Sequence, residues 1–227
     1  GLPGNDPRSP FMARKPTKHR PSGTDPGRMS GQGELRIIGG DWRSRKLRFP
    51  DAGGVRPTPA RTRETLFNWL NFHLAGARCL DLFAGSGVLG LEALSRGADS
   101  ATLVDHTPAL AKALRDNLRQ LGARRAEVVC QDVAAFLAER RQPPFDIVFM
   151  DPPFRQGWLE RLIPLLDAGQ WLRPGGWIYL EYESERTPPR VPADWHLHRQ
   201  KTAGQVTYAL YRIDGDRAAA AGPEADS

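Results

Sequence analysis

Short apolar runs alternate with longer, helix-patterned segments along the chain from residue 77 to residue 182. The short runs predict β-strands near 78–82, 100–104, 127–130, 146–150 and 176–182. The longer segments, whose apolar residues recur every three or four positions, predict helices near 87–96, 107–121, 132–141 and 156–169. Such alternation is typical of an α/β fold with a mostly parallel sheet and helices on both faces. Two last strands near 195–200 and 205–211, joined by a turn, would close the sheet antiparallel.

The stretch before this pattern carries two further signals. Strand-like runs at 34–38 and 46–49 flank a loop that begins with two glycines, which predicts a β-hairpin. A helix follows, for which we predict Thr58 as the N-cap and Pro59 as the first helical residue. The chain therefore divides into a hairpin extension and an α/β domain.

The predicted boundaries place the hairpin extension at 34–55 and the α/β domain at 56–213. Residues 1–33 and 214–227 have too few apolar residues to bury a core, so we expect disordered tails there. We interpret residues 1–11 as an expression leader.

Composition restricts the class of protein. Of the 227 residues, 40% are hydrophobic and 26% are charged. No apolar run approaches the roughly 18 residues of a membrane span, and the N-terminus lacks an apolar signal core. Cys79 and Cys130 both lie in apolar strand-like runs, which predicts buried free thiols. We expect a cytoplasmic monomer without a membrane partner or a metal site.

The net charge of +6 is unevenly distributed along the chain. Residues 1–63 hold 14 Lys and Arg against 5 Asp and Glu, a balance of +9, whereas the remainder has a balance of −3. This concentration of positive charge indicates a polyanionic partner, most simply a nucleic acid. For residues 1–33 a solvated basic tail explains the charge equally well.

The hairpin mixes basic and aromatic residues in the way that RNA-binding surfaces do, since cations meet phosphates and aromatic rings stack on unpaired bases. An ordinary hairpin with a solvated basic face is the alternative. The candidate RNA-binding residues are Arg36, Trp42, Arg43, Arg45, Lys46 and Arg56.

The segment Asp81-Leu-Phe-Ala-Gly-Ser-Gly87 joins the first strand of the α/β domain to its helix. A tight glycine turn there lets a ligand approach the backbone closely and directs a helix N-terminus at it. Gly85, Gly87 and Gly90 also fit the dinucleotide fingerprint G-x-G-x-x-G. The Asp81 carboxylate would repel a phosphate but not a ligand with hydroxyl or amino groups, which favours S-adenosylmethionine over NAD.

The next two strands also end in acids. Asp105 lies 18 residues beyond Gly87, where a carboxylate can accept hydrogen bonds from both ribose hydroxyls. His106 is a neighbouring loop residue. Asp132 has two competing roles, as the N-cap of the following helix or as an acceptor for the adenine amino group, and the sequence does not separate them.

The fourth strand ends in Asp151-Pro152-Pro153-Phe154. The prolines fix the backbone, so that the carboxylate and the ring keep one geometry. The Asp151 carboxylate and the Pro152 carbonyl can each accept an N–H hydrogen bond from the exocyclic amine of a base. Phe154 can stack on that base once it is flipped out. Catalysis would then consist mostly of positioning a poor nucleophile toward a methyl sulfonium.

These motifs resemble those of class I S-adenosylmethionine-dependent methyltransferases, and the Asp-Pro-Pro-Phe form resembles enzymes that modify base amino groups. The segments 35–47, 56–58 and 61–70 are similar to those of the RsmD family, which are bacterial 16S rRNA guanine-N2 methyltransferases. The resemblance covers roughly residues 34–212.

The resemblance implies methylation of a guanine amino group in 16S rRNA, within an assembled or partly assembled small ribosomal subunit. It implies that Asp151, Pro152 and Phe154 hold the guanine, with Pro153 in the same turn. The candidate cofactor-binding residues are Thr58, Arg61, Asp81, Phe83, Ala84, Gly85, Gly87, Asp105, His106, Asp132 and Val133.

Three other functions compete with this hypothesis. Asp-Pro-Pro-aromatic turns also serve DNA or RNA adenine-N6 methyltransferases, from which only the hairpin resemblance distinguishes this chain. A non-enzymatic RNA-binding protein with an inactive fold is disfavoured by the intact Asp81, Gly85, Gly87 and Asp151. An NAD-dependent oxidoreductase is favoured only by the glycine fingerprint.

Overall fold

The computed structural model of the protein describes residues 32–51, 57–139 and 142–215. Most of both predicted tails, and Arg56, lie outside these ranges, so the predictions made for them stay predictions. The first described strand begins at Gln32, two residues before the predicted start of the hairpin extension.

Nine strands and five helices occur within the described residues. The strands are β1 (Gln32–Arg36), β2 (Lys46–Pro50), β3 (Arg78–Leu82), β4 (Ser100–Asp105), β5 (Ala126–Cys130), β6 (Phe145–Met150), β7 (Leu172–Glu183), β8 (Trp195–Ala203) and β9 (Val206–Ile213). The helices are α1 (Ala60–Trp69), α2 (Val88–Ser95), α3 (Pro108–Leu121), α4 (Val133–Ala138) and α5 (Trp158–Ala168). Each strand and helix predicted from the apolar pattern is present.

Seven of the described strands form one sheet in the order β5-β4-β3-β6-β7-β9-β8. The five neighbouring strands β5, β4, β3, β6 and β7 run parallel, and β9 is antiparallel to both β7 and β8. The predicted fold class is confirmed: a mostly parallel seven-stranded sheet with helices on both faces and an N-terminal hairpin. The strand order reverses between β3 and β6, and sheets of this kind bind ligands beyond the C-terminal ends of the strands at such a reversal.

The side chains of β7 alternate between two apolar cores. Ile178, Leu180 and Tyr182 pack with residues of α4 and α5. Trp177 and Tyr179 pack instead with residues of α1 and α2. A third cluster joins α2 and α3 to the hairpin. Helices α1, α2 and α3 therefore lie on one side of the sheet, called here the α1 face, and α4 and α5 cover the other.

Strands β1 and β2 form a separate two-stranded antiparallel sheet that is fixed to α2 and α3. The fully buried Glu92 of α2 accepts hydrogen bonds from the Ile38 N–H, at 3.0 Å to each carboxylate oxygen. The Ser95 hydroxyl donates to the carbonyl of Gly39 at 2.6 Å. Because these bonds are buried, the hairpin is an integral part of the domain surface.

Two local predictions are wrong. Helix α1 begins at Ala60 with Pro59 as its N-cap, because the Thr58 hydroxyl is engaged elsewhere in the fold. Cys130 is exposed, because β5 is an edge strand of the sheet. Cys79 is buried as predicted, and burial raises the pKa of its thiol.

In the described part of the chain, no helix is both long enough and apolar enough to cross a bilayer. Across the same ranges, no group of three or more His, Cys, Asp and Glu side chains could hold a metal ion.

Candidate active site

The turn between β3 and α2 adopts left-handed backbone conformations. Its φ angles are 57° at Phe83, 55° at Gly85 and 78° at Gly87. A Cβ atom on Gly87 would also lie 2.2 Å from the Leu114 side chain of α3. Glycine is therefore required at this position by both conformation and space, in agreement with the glycine turn that the sequence predicts.

Asp81 lies beneath this turn and connects β3 to α2. Its carboxylate is only 3% exposed and accepts a hydrogen bond from the Gly90 N–H at 2.9 Å. Burial raises its pKa to about 8, with smaller contributions from the charges of Asp105 and Glu181. In this position Asp81 supports the loop from below.

Asp105 ties the ends of β3 and β4 together. One carboxylate oxygen accepts from the Gly85 N–H and the other from the Thr107 N–H, both at 2.9 Å. The carboxylate thus lies directly beside the glycine turn, as its spacing from Gly87 predicts. His106 follows on the exposed side of the same loop.

The structure shows one of the two roles considered for Asp132, that of the N-cap of α4. Its carboxylate accepts from the Ala135 N–H at 3.0 Å and caps α4, and the side chain remains exposed. Val133 is buried in the core under α4. Ala84 is also buried, whereas Phe83 is half-buried and packs edge-on against Trp158, with 5.2 Å between ring centres.

Asp151 follows the last residue of β6, next to the end of β3. Met150 pairs with Leu82, so the Asp151 carboxyl lies one strand away from the glycine turn. It is in hydrogen-bond contact with Glu181 of β7. Burial, and then the neighbouring Glu181, raise the pKa of Asp151 well above its ordinary range. The Asp151 carboxyl therefore holds a proton more readily than an exposed acid would.

Glu181 is the centre of a buried polar network. Its side chain is 3% exposed and accepts from the Tyr179 hydroxyl at 2.8 Å. The Thr58 hydroxyl donates to the two carboxylate oxygens, at 3.1 and 3.2 Å. Thr58, predicted as a cofactor-binding residue, thus contacts the acid that supports Asp151. Arg61 is exposed on α1, one turn further along the chain.

Sequence reasoning missed Glu181 and Glu183. The signal that could have found them is their position in β7, where the run Leu180-Glu-Tyr-Glu183 places two acids on one face of a strand that is buried on both sides. Acidic side chains are almost never fully buried unless they are paired with another group. Both of these acids support the turn that carries Asp151.

The turn after Asp151 is anchored by Glu183. The Arg155 N–H, in a residue with φ of 60°, donates to Glu183 at 2.9 Å. The Arg155 guanidinium pairs with Glu185 at 2.6 Å, and Arg186 pairs with Glu160 and Glu183. These contacts fix the turn to the end of β7.

A cavity opens beside this turn, with the buried Tyr182 at its base. The Tyr182 hydroxyl has no hydrogen-bond partner among the described residues, and its ring lies 5.9 Å from the Arg186 guanidinium. The cavity is lined by Pro152, Pro153, Phe154, Arg155, Gly157, Trp158, Leu159, Glu181, Tyr182, Glu183 and Arg186. Phe154 and the two prolines that follow Asp151 therefore border the same cavity.

The candidate RNA-binding residues of the hairpin are of two kinds, one packed against the hairpin core and the others exposed. Trp42 is half-buried and packs against the hairpin core, so its ring has a packing role. Arg36, Arg43, Arg45 and Lys46 are exposed.

The exposed residues of the hairpin keep most of their charge available to a ligand. Among the described residues, the hydrogen bonds of the Arg36 and Arg45 guanidinium groups go to the backbone carbonyls of Ser44 and Gln120 respectively. Lys46 and Arg48 both form ion pairs with the Glu34 carboxylate, with N–O distances of 3.7 and 3.8 Å. This surface therefore has more cations than acids.

Comparison with known proteins gives concordant matches. The family described as Conserved hypothetical protein 95 matches residues 35–212. Ribosomal RNA small subunit methyltransferase D of Escherichia coli (strain K12) is 54% identical over 183 residues, which cover 81% of this chain and 92% of that protein.

Solved structures agree with this match. The structure titled Putative methyltransferase yhhF from Escherichia coli has 53% identity and a TM-score of 0.76, and the match covers 81% of this chain and 99% of that one. The Thermus thermophilus 16S rRNA N2 G1207 methyltransferase (RsmC), in complex with AdoMet and guanosine, has a TM-score of 0.56 over 80% of this chain and 50% of that one. At 22% identity, the second likeness shows a shared fold alone.

Proposed function

The chain belongs to the RsmD family of ribosomal RNA small subunit methyltransferases, and we propose on this premise that it methylates the exocyclic N2 amine of a guanine in 16S rRNA. S-adenosylmethionine is the methyl donor, as the motifs predict. The observation that carries the proposal is the position of the Asp151 turn, one strand from the glycine turn and hydrogen-bonded to a buried second acid.

The residues around the glycine turn suit this cofactor. Asp105 and Asp132 present carboxylates for hydroxyl and amino groups, and α2 begins at the turn with its N–H groups. No Lys or Arg occurs between Asp81 and Ser95, whereas the buried Asp81 carboxylate lies beside the turn and would disfavour a phosphate there. When bound, the cofactor supplies an electrophilic methyl group.

The Asp151 turn provides what the acceptor amine requires. The Asp151 carboxyl and the Pro152 carbonyl accept N–H hydrogen bonds and orient the nitrogen lone pair, and Phe154 stacks on the base. Transfer of the methyl group to the amine would form an N–C bond as the C–S bond of the sulfonium breaks, and the product S-adenosylhomocysteine would leave. The methylated amine would then release one proton. Asp151, whose pKa is raised by burial and by Glu181, can take up that proton.

The acceptor-rich chemistry of this turn favours guanine over adenine. Guanine presents N1–H and the N2 amine side by side, which are all donors, whereas adenine places the N1 acceptor next to its amine. The groups nearest to the base at this turn, Asp151, Pro152 and Glu181, offer carboxyl and carbonyl oxygens. An ionised Asp151 carboxylate facing adenine N1 would be repelled, so this preference for guanine belongs to the ionised form of Asp151.

Labelled S-adenosylmethionine and small ribosomal subunits lacking the modification test the proposal. We expect the label in N2-methylguanosine of 16S rRNA, identified by nucleoside analysis. Label in N6-methyladenosine would support an adenine methyltransferase instead, and absence of transfer would exclude both.

The variant Asp151→Ala tests the assigned site. We expect it to abolish methyl transfer and leave the affinity for S-adenosylmethionine within about twofold, because the hydrogen-bond contact of Asp151 is with Glu181 of β7 and lies one strand away from the glycine turn. Calorimetric titration measures the affinity. Loss of cofactor binding in this variant would mean that the acceptor site is misplaced. Lys112→Gln, on the exposed side of α3, is the control for substitution itself.

A further inference from the structure

Strand β8 is the edge strand of the sheet, and it is basic. Among the described strands it pairs only with β9, and its residues from His196 to Ala203 are all exposed. Neither β8 nor β9 contains an acidic residue. The hairpin lies with α2 and α3 over the opposite part of the sheet, so this charge is separate from the basic residues discussed above.

The strand register brings the basic side chains of this edge to one face. Lys201 pairs with Tyr208, and Tyr208 pairs with Glu181. At the other end, Arg212 of β9 pairs with Trp177. Since Trp177 and Glu181 both face α1, the side chains of Lys201 and Arg212 also lie on the α1 face.

Arg199 and His198 continue this row. Arg199 pairs with Leu210, between the positions of Lys201 and Arg212, and the register shifts between Leu197 and Arg199. The shift brings the His198 ring onto the Trp177 ring, with 4.8 Å between their centres.

Two histidine rings and one arginine surround Trp177. The rings of His73 and His198 lie 4.6 and 4.8 Å from its centre, and the Arg212 guanidinium lies 5.6 Å from it. Burial lowers the pKa of His198, and the charges of Arg199, His73 and Arg212 lower it further. These groups thus lie close enough to repel one another.

We call this row, formed by His73, His198, Arg199, Lys201 and Arg212, the β8 strip. Asp214 pairs with His196 at 3.8 Å, so His196 is left out of it. The strip begins level with Glu181, the partner of Asp151, and extends over four residues of β9, about 13 Å. That length accommodates more than one phosphate of a nucleic acid strand.

The chemistry of the strip fits an RNA strand. The guanidinium groups of Arg199 and Arg212 and the ammonium group of Lys201 have no acidic neighbours in their strands and match consecutive phosphates. Phe72, next to His73, is 91% exposed and offers a ring on which an unpaired base can stack. The strip also leads toward the turn where the target base must be presented.

We propose that the β8 strip is a second RNA-binding surface, which holds rRNA beside the Asp151 turn independently of the N-terminal hairpin. The inference rests on the proposed function in taking ribosomal RNA as the ligand. It adds that the substrate must be an RNA surface wide enough to reach both the hairpin and β8, as in a folded particle.

Salt dependence of binding tests the strip. The full-length double variant Arg199→Gln/Lys201→Gln is titrated with unmodified small ribosomal subunits over a series of salt concentrations, without a methyl donor. We expect the slope of log K against log salt to become shallower by about 1.4, since each phosphate contact on a single strand contributes about 0.7. The control Arg124→Gln/Arg161→Gln removes two exposed charges near β5 and on α5, and should keep the wild-type slope.

A variant of the N-terminal hairpin tests whether the β8 strip binds RNA independently of the hairpin. Arg43→Gln/Arg45→Gln should also flatten the slope, and the combination with the β8 variant should give the sum of the two changes. An unchanged slope in Arg199→Gln/Lys201→Gln would overturn the proposal. So would weakened binding to particles with unchanged binding to transcribed 16S rRNA, which would identify a ribosomal protein as the partner. The binding experiment measures no methyl transfer. Failure to find N2-methylguanosine would therefore contradict the proposed function without changing the salt dependence measured here.

Discussion

At the scale of single residues, the site contains several buried acids, and burial raises the pKa of two of them, Asp81 and Asp151. Asp81, Asp151 and Glu181 all lie on the α1 face at the C-terminal ends of adjacent strands, and each is at least half-buried. A site with this many acids would repel itself if all were ionised. Burial therefore keeps the negative charge low until a ligand brings compensating donors.

Asp81 gives a stability prediction whose sign is set by its pKa. The folded-state pKa of about 8 lies above the ordinary value of about 3.9. Its stabilising contribution is thus fully present below about pH 4 and is lost as the pH rises through about 8.

The variant Asp81→Asn should remove this pH dependence. In the wild-type protein, Asp81 should lower the free energy of unfolding by up to about 1.4 kcal/mol for each pH unit within that window. Denaturant unfolding at several pH values measures the difference between the two proteins. The control Asp99→Asn changes an exposed acid paired with Arg125 and should leave the wild-type slope unchanged. Parallel slopes for wild type and Asp81→Asn would contradict the assignment.

Glu181 gives a prediction about the reaction. It raises the pKa of Asp151, so Glu181→Gln should lower that pKa and move the acidic limb of the transfer rate to lower pH. The affinity for S-adenosylmethionine should stay within about twofold, because Glu181 contacts Thr58, Tyr179 and Asp151 and not the glycine turn.

The matched control is Glu183→Gln, two residues along the same strand. Glu183 accepts from the Arg155 N–H, so its loss should change the rate without moving the pH limb. A single-turnover rate profile separates the two effects. If the limb stayed in place in Glu181→Gln, Glu181 would be a purely structural acid.

At the scale of elements, the parts of the fold that could be predicted are those that the local sequence pattern determines. Strands β3 to β6 and helices α2, α3 and α5 follow from apolar spacing, and the glycine turn follows from residues adjacent in sequence. The N-cap of α1 could not be predicted in the same way. Thr58 is a good capping residue, but its hydroxyl is used by Glu181, 123 residues away.

The same limit explains what the sequence did not reveal about the site. Asp105 and Asp151 lie at strand ends and could be found because parallel strands end at one edge. Glu181 and the β8 strip depend on pairing across β7, β9 and β8, including a register shift near His198. Only the register places Lys201 level with Glu181.

At the scale of the whole molecule, a hydrogen-bonded path joins the hairpin to the acceptor site. Arg63 of α1 donates to the carbonyl of Arg36 at 3.0 Å and to the carbonyl of Thr58 at 3.1 Å. The Thr58 hydroxyl then donates to Glu181, which contacts Asp151. The hairpin and the Asp151 turn are therefore supported by one buried arginine.

Arg63→Gln should disturb both ends of this path. The side chain is 3% exposed, and burial lowers the pKa of its guanidinium, an effect that Glu92 partly offsets. Loss of two charged-donor hydrogen bonds, each worth about 1.5–3 kcal/mol, should lower the free energy of unfolding by about 3 kcal/mol. Arg63→Lys should not restore it, because an ammonium group cannot span both carbonyls as the planar fork does.

The functional consequence of Arg63→Gln can be separated from simple unfolding. At a temperature where the variant remains folded by circular dichroism, methyl transfer to small ribosomal subunits should fall at least tenfold, while the affinity for S-adenosylmethionine stays near that of the wild type. Arg119→Gln, which removes an exposed arginine of α3, should behave as wild type in all three measurements. Equal losses of transfer and cofactor affinity in Arg63→Gln would instead indicate a general loosening of the fold, since the glycine turn lies outside the path from Arg36 to Asp151.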